Sequence, residues 1–201
     1  ALSFLGTSSS GTVDLLMTAG GEVSSSSAGT FETGMIGGAQ ATTPSECVKP
    51  SPAPLQVEIP APDLSSAPAG HHASIAVAEA YLNQSGWALH QSGGMCLTLD
   101  QAQVAFLDTG LFKTILPSLG VLATRDGKDA PMMLVMTPGR PPKFRVGAGT
   151  VDPATNLPID PLINVTMSDL SLDFYAMIDD RYARLFRVNA DWLPQIEAQA
   201  V

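Results

Sequence analysis

Cys47, Cys96, His71, His72 and a scatter of aspartates are the residues of this chain whose types could do chemistry. His71 and His72 are adjacent, and consecutive side chains share no face of a helix or strand. With Cys96 they would hold a metal only through a fortunate convergence of the fold, so a solvated helix entrance is the simpler reading. Glu79 and His90 fall on one side of a predicted helix, but about 16 Å of helical rise separates them and rules out a direct acid–base pair. Asp169, Asp173, Asp179 and Asp180 could form paired catalytic carboxylates or a calcium site. Asp179 and Asp180, however, occupy a predicted turn, where aspartate is favoured by hydrogen bonds to its own backbone. The chain contains no G-x-S-x-G, H-E-x-x-H, C-x-x-C or phosphate-binding P-loop, and Gly147 with Gly149 does not complete a G-x-G-x-x-G. No catalytic or metal-ligating residue and no cofactor is therefore assigned, and a non-enzymatic chain is expected. Two glycosylation sequons, beginning at Asn83 and Asn164, fall inside predicted regular elements and carry no assigned function.

The two cysteines allow a single pairing. A Cys47–Cys96 bridge would fasten a proline-rich segment to the far end of the helix and imply an oxidising compartment, secreted, periplasmic or associated with the outer envelope. The alternative is two buried thiols whose Cα atoms never come within about 7 Å of each other.

Elements must position these groups, and composition bounds them. The 201 residues carry a net charge of -9, with 14 % charged and 45 % hydrophobic side chains. This describes one sizeable, β-rich domain, or one domain with part of another, and not a disordered chain. The acidic balance excludes nucleic acid as a partner, since phosphate binding needs clustered cations. Arg181, Arg184 and Arg187 do cluster, either as a solvated strand face or as a weak site for an anion or headgroup. No apolar run approaches the roughly 20 residues of a membrane span, and no targeting signal is legible. Beginning at Ala1 without Met, the chain reads as a processed protein or a piece of a longer one.

Short apolar runs at 13–17 and 31–36 read as strands within a Ser-, Gly- and Thr-rich stretch. Prolines at 44, 50, 52, 54, 60, 62 and 68 then keep the chain extended, with 55–59 an edge strand. A helix is predicted over 73–93, with Glu79 its only charged side chain. At about 100° per residue, Val77, Ala88, Tyr81, Ser85, Ala78, Leu89, Leu82, Ile75 and Gly86 share half its circumference, an arc expected to be buried. That arc either packs in an ordinary core or lines an apolar ligand cavity. Thr98 with Gln101 resembles a capping box opening a shorter helix through Leu107. Further helical turns follow over 111–116, with Pro117 marking the stop. Strands are predicted at 132–137, 143–146, 162–167, 170–178 and 182–193, the last two forming a hairpin around Asp179, Asp180 and Arg181. Leu170, Leu172, Phe174 and Ala176 alternate with Ser171, Asp173 and Tyr175, so one face should be buried and one wet. Met132, Met133, Met136, Met167 and Met177 suit either core filling or contact with flexible acyl chains.

Taken in order, the strap Lys49-Pro50-Ser51-Pro52-Ala53-Pro54, the strand 55–60, the helix with Asn83, Gly86 and Gly93, and Thr98-Leu99 resemble the middle of the bactericidal/permeability-increasing and lipopolysaccharide-binding protein family. This family belongs to the tubular lipid-binding (TULIP) superfamily. Leu111-Phe112-Lys113-Thr114-Ile115-Leu116-Pro117, Pro141-Pro142-Lys143-Phe144-Arg145-Val146 and 170–178 extend the resemblance over roughly two thirds of the chain.

The resemblance implies an α+β half barrel, a strongly curved antiparallel sheet wrapped around a long amphipathic helix, with extra N-terminal strands. Residues 1–46 would be closing strands of a preceding barrel or bridging sheet, 47–70 a proline-rich strap, and 71–201 a lipid-binding barrel, incomplete at its end. It also implies binding or transfer of lipids or amphiphiles in a cavity lined by Val77, Tyr81, Leu82, Leu89, Phe112, Leu116, Met133 and Phe174. These eight are inferred from apolar facing. A membrane surface and a missing first-barrel segment or partner chain are the further partners implied. The acidic balance departs from the family's lipopolysaccharide-neutralising members, and so does the cysteine pair flanking the helix. Antibacterial activity is therefore not implied. The rival reading is a non-enzymatic structural or interaction domain of an extracellular or cell-envelope assembly with a fully packed core.

Overall fold

A computed structural model of the chain describes residues 11–27, 30–55, 76–121, 127–155 and 157–196. The first two strands, β1 (Val13–Ser27) and β2 (Thr30–Ala41), form an antiparallel hairpin longer than the apolar runs predict. Helix α1 (Glu79–Gln91) follows, and then β3 (Leu97–Leu99), α2 (Thr109–Phe112) and a 3₁₀ turn at Pro117–Val121. The rest is sheet: β4 (Met132–Pro138), β5 (Lys143–Val146), β6 (Thr150–Val151), β7 (Pro158–Asp160), β8 (Ile163–Ile178), β9 (Arg181–Trp192) and β10 (Gln195–Ile196). Strand β8 is the spine. Its first residues run between β5 and β10, and its later residues between β4 and β9, with β3 outside β4.

This architecture corrects the expected fold. The described chain is mostly sheet, and α1, of 13 residues, is its one helix of more than two turns. Among the described residues no curved sheet wraps it. Instead α1 lies against the β1–β2 hairpin on one side and β5 on another, outside both apolar clusters of the sheet. One cluster joins Leu107, Met132 and Ala176 with Leu134, Phe112 and Phe174. The other joins Val165, Met167 and Leu170 with Met136, Phe144 and Leu172.

The helix is shorter than predicted because nothing at its start caps it. Ala78, its N-cap, has extended backbone and no side chain to hold the free amides. At its other end Gly93 takes φ 73°, and Gly94 N–H donates to Leu89 O at 3.0 Å, a left-handed stop that glycine adopts without strain. The burial of α1 also differs from the expected arc. Leu89 and Val77 are exposed, whereas His90 and Gln91 are buried. The physical reason is that the polar side chains are spent on backbone and not on water. Asn83 and Glu79 bond β5, Gln84 bonds Ala39 O, and Trp87 and Gln91 bond the 49–51 strap.

The helix expected from Thr98 is absent. Leu97–Leu99 pairs antiparallel with Leu134–Met136, and a turn built on Asp100 follows, its Oδ1 accepting from Ala102 N at 2.8 Å. Pairing across the sheet outweighs a local capping pattern. The turns over 111–116 shrink to α2, capped by Asp108 through Leu111 N, and Pro117 opens the 3₁₀ turn in place of a stop. The two strands predicted at 162–167 and 170–178 are one strand, interrupted only by a bulge at Asp169, where φ is 58°. Asp169 N–H donates to Asp191 Oδ1 at 3.0 Å, and its carbonyl accepts from Gly139 N at 2.8 Å, so the irregular residue keeps its hydrogen bonds. The hairpin around Asp179 and Asp180 is as predicted. Ile178 pairs with Arg181, and φ values of 47° and 62° at the two aspartates give the turn that matches strand twist. The edge strand expected at 55–59 lies outside the described residues from 56 onward, as do His71 and His72.

Candidate functional site

Alternation in β4 and β8 sorts their side chains onto two faces. Met132, Leu134 and Met136 join Leu170, Leu172, Phe174 and Ala176 on the apolar face. Thr137, Ser171 and Asp173 take the other. Phe174 anchors the apolar side: its ring stacks on Phe186 at 4.5 Å and meets Phe112 edge-on at 5.4 Å. The sequence reading overlooked Phe186, although it lies at a strand position directly opposite Phe174 across the hairpin.

The eight residues inferred to line a lipid cavity are dispersed. Phe112 and Phe174 meet. Met133 pairs across the ladder with Tyr175, while Leu134 pairs with Phe174, so Met133 and Phe174 face opposite sides of the sheet. Tyr81 lies over Gly37 of the hairpin, where an added Cβ would come 2.8 Å from its ring. Leu82 is half-buried and Val77 exposed. Leu89 covers Gly94 while remaining partly exposed, and Leu116 is also exposed. None of the eight lines either cavity described below.

Apolar side chains instead gather at the surface. Over 106–121, Phe106, Leu111, Ile115, Leu116 and Val121 are exposed by 68, 45, 75, 39 and 83 %. Phe112 turns its ring into the sheet cluster beside the buried Leu107, and the two anchor the segment. Lys113, 3.3 Å from Asp129, is the only charged side chain in 109–121. A second exposed apolar group lies on the β1–β2 hairpin, where Leu15, Leu16, Met17, Met35 and Ile36 are each more than half exposed.

The polar face carries the acidic and basic candidates. Asp173 is 4 % exposed, and Arg187 grips it from β9: Nε donates to Oδ1 at 2.8 Å and Nη2 to Oδ2 at 2.6 Å. Arg184 Nη1 stands 3.6 Å from the same carboxylate. Hydrogen bonds from Arg187 hold the Asp173 carboxyl below the usual carboxylate range, outweighing the opposing effect of desolvation. Asp173 and two of the clustered arginines thus form one ion network, and Asp179 and Asp180 are turn residues.

A cavity of about 520 Å³ opens between this polar face and the strap at Cys47 and Lys49. A smaller one, about 250 Å³, lies among Arg145, Asn164, Val165, Thr166, Leu193 and Pro194. Cys47 and Cys96 are bonded, with their Cα atoms 6.7 Å apart, so the bridge that sequence left open is made. No family model, curated protein or solved structure matches the chain. Among the described residues, no cluster of three His, Cys, Asp or Glu could hold a metal, and no helix is long and apolar enough to cross a membrane.

Proposed function

We propose that the chain binds lipids or amphiphiles at an open apolar surface formed by residues 106–121. The observation that carries this reading is the exposure of Phe106, Leu111, Ile115, Leu116 and Val121 in one short segment anchored by Phe112. Apolar side chains concentrated this way lose water when they enter an acyl layer, at about 25 cal/mol per Å² buried. The family resemblance of the surrounding sequence points to the same ligand class. The Cys47–Cys96 bridge is compatible with a secreted or periplasmic location. Flotation with phospholipid vesicles tests the proposal. The oxidised protein should float, and Ile115→Glu with Val121→Glu should remain in the dense fraction while melting at the same temperature. A wild-type chain that neither floats nor takes up a fluorescent fatty acid would overturn it.

The β1–β2 hairpin favours a second reading, an interaction domain of a larger assembly. Leu15 and Leu16 are consecutive and so point to opposite faces, as do Met35 and Ile36, leaving apolar side chains exposed on both sides of a two-stranded ribbon. Such a ribbon is marginal in water on its own. Light scattering should then show a mass that rises with concentration and falls to the monomer's in Leu16→Asn. A constant monomer mass would exclude a second copy as the covering partner.

A further inference from the structure

The 520 Å³ cavity beside the disulfide has a chemistry that the apolar surface does not use. Its walls are Thr137, Ser171, Arg187 and Asn189 from the polar face of the sheet and Asp169 at the bulge of β8, with Lys49 across from them on the strap. Its two cations, Lys49 and Arg187, face one lining carboxylate, Asp169, which Arg140 engages. Arg187 uses Nε and Nη2 on Asp173, which leaves Nη1 available. Ser171 Oγ donates to Asn189 Oδ1 at 3.0 Å, and in this orientation Nδ2 offers its N–H groups to the cavity. Lys49 has no carboxylate partner among the described residues.

Of the carboxylates nearby, Asp169 and Asp173 are ion-paired. Asp169 pairs with Arg140 at 2.7 Å, Asp173 is shared by Arg187 and Arg184, and Asp191 caps the Asp169 amide. We infer that this cavity is a binding site for a phosphate-type oxyanion, held by Lys49, Arg187 and Asn189. The net charge of -9 opposes anions at long range, but screening beyond about 8 Å at physiological salt confines that effect. Charge-assisted hydrogen bonds at contact distance then decide the outcome. The strap wall that carries Lys49 is fastened by the disulfide at Cys47 and by Gln91, whose Nε2 donates to Ser51 Oγ at 3.1 Å and whose Oε1 accepts from Ser51 N at 3.4 Å.

Calorimetric titration of the oxidised chain with inorganic phosphate tests the site. Saturable binding of one phosphate per chain is expected, weakened about tenfold in Lys49→Gln. Asn189→Asp preserves the acceptor for Ser171 but places a carboxylate in the cavity, and should abolish binding. Lys143→Gln, exposed on β5 away from the cavity, should bind like the wild type. Thermal melts confirm that each variant is folded. An absence of saturable heat in the wild type overturns the site, and so does equal binding by wild type, Lys49→Gln and Asn189→Asp. Equal weakening by Lys143→Gln would show nonspecific attraction and overturn it as well. Phosphatidylglycerol vesicles distinguish the source: competition between vesicles and phosphate assigns a lipid headgroup, and its absence assigns a free phosphate. Either source upholds the site. Both diagnostic variants lie outside residues 106–121, so failure here leaves the apolar-surface reading untouched.

Discussion

Asn83 and Phe144 exchange two hydrogen bonds, with Phe144 N–H donating to Asn83 Oδ1 at 2.9 Å and Asn83 Nδ2 donating to Phe144 O at 3.0 Å. A helix side chain thereby acts as the missing neighbour strand for the free edge of β5. One turn earlier, Glu79 Oε2 accepts from Val146 N at 3.1 Å and extends the same pairing. Covering the edge in this way satisfies backbone groups that would otherwise offer a template to another chain.

Asn83→Leu removes both bonds and leaves a donor and an acceptor of Phe144 without partners. A loss of about 1–3 kcal/mol is expected from urea unfolding. Asn83→Asp keeps the acceptor alone and should fall between the two.

Asp173 should govern the acid limb of stability. Arg187 holds its carboxyl below the ordinary value near 3.8, so its contribution is complete above that pH and is lost as the pH falls toward the folded-state value. Asp173→Asn should cost about 1–3 kcal/mol at neutral pH and flatten the unfolding midpoint below about pH 4.

His90 acts in a higher window. It is fully buried; its Nε2 donates to Pro138 O at 3.2 Å, so Nδ1 accepts from Gln91 Nε2 at 3.0 Å and the ring is neutral. Desolvation lowers its pKa from the ordinary 6.5, against a smaller opposing effect of the Pro138 bond. As pH drops below about 6.5 the unfolded chain takes up the proton first, and stability declines with pH until the folded-state value is passed. Denaturation midpoints at about pH 7.5 and pH 5 should differ in the wild type and converge in His90→Gln.

Reduction of Cys47–Cys96 opens a loop closed over 49 residues of sequence separation. Loop-closure entropy places its contribution at about 4 kcal/mol. Thermal melts with and without reductant should separate clearly, and Cys47→Ser with Cys96→Ser should match the reduced wild type.

The β8–β9 hairpin was legible because turn chemistry and strand alternation are short-range properties, written in Asp179, Asp180 and the residues beside them. The apolar face of β8 was legible for the same reason. The helix beginning at Thr98 was not, since a capping-box pattern says nothing about Leu134–Met136, the strand that claims Leu97–Leu99. The arc of α1 misled because periodicity ranks faces by hydropathy alone, whereas His90 and Gln91 are buried by partners far away in sequence, Pro138 O and Ser51 Oγ. The dispersal of the eight predicted lining residues follows from strand register, which sets Met133 and Phe174 on opposite faces.

By itself the sequence determined the β-rich class, the turn at Asp179 and Asp180, the alternating faces of the later strands and the single pairing open to two cysteines. Each depends on neighbours a few residues apart, or on counting. Tertiary structure alone decided that the helix is a backbone-bonding strut beside the sheet, that Arg187 and Asp173 meet, and that a donor-rich cavity opens behind the disulfide. Those outcomes depend on which distant segments come within hydrogen-bonding distance, and directional bonds of about 3 Å cannot be inferred from residue types before the chain has brought their partners together.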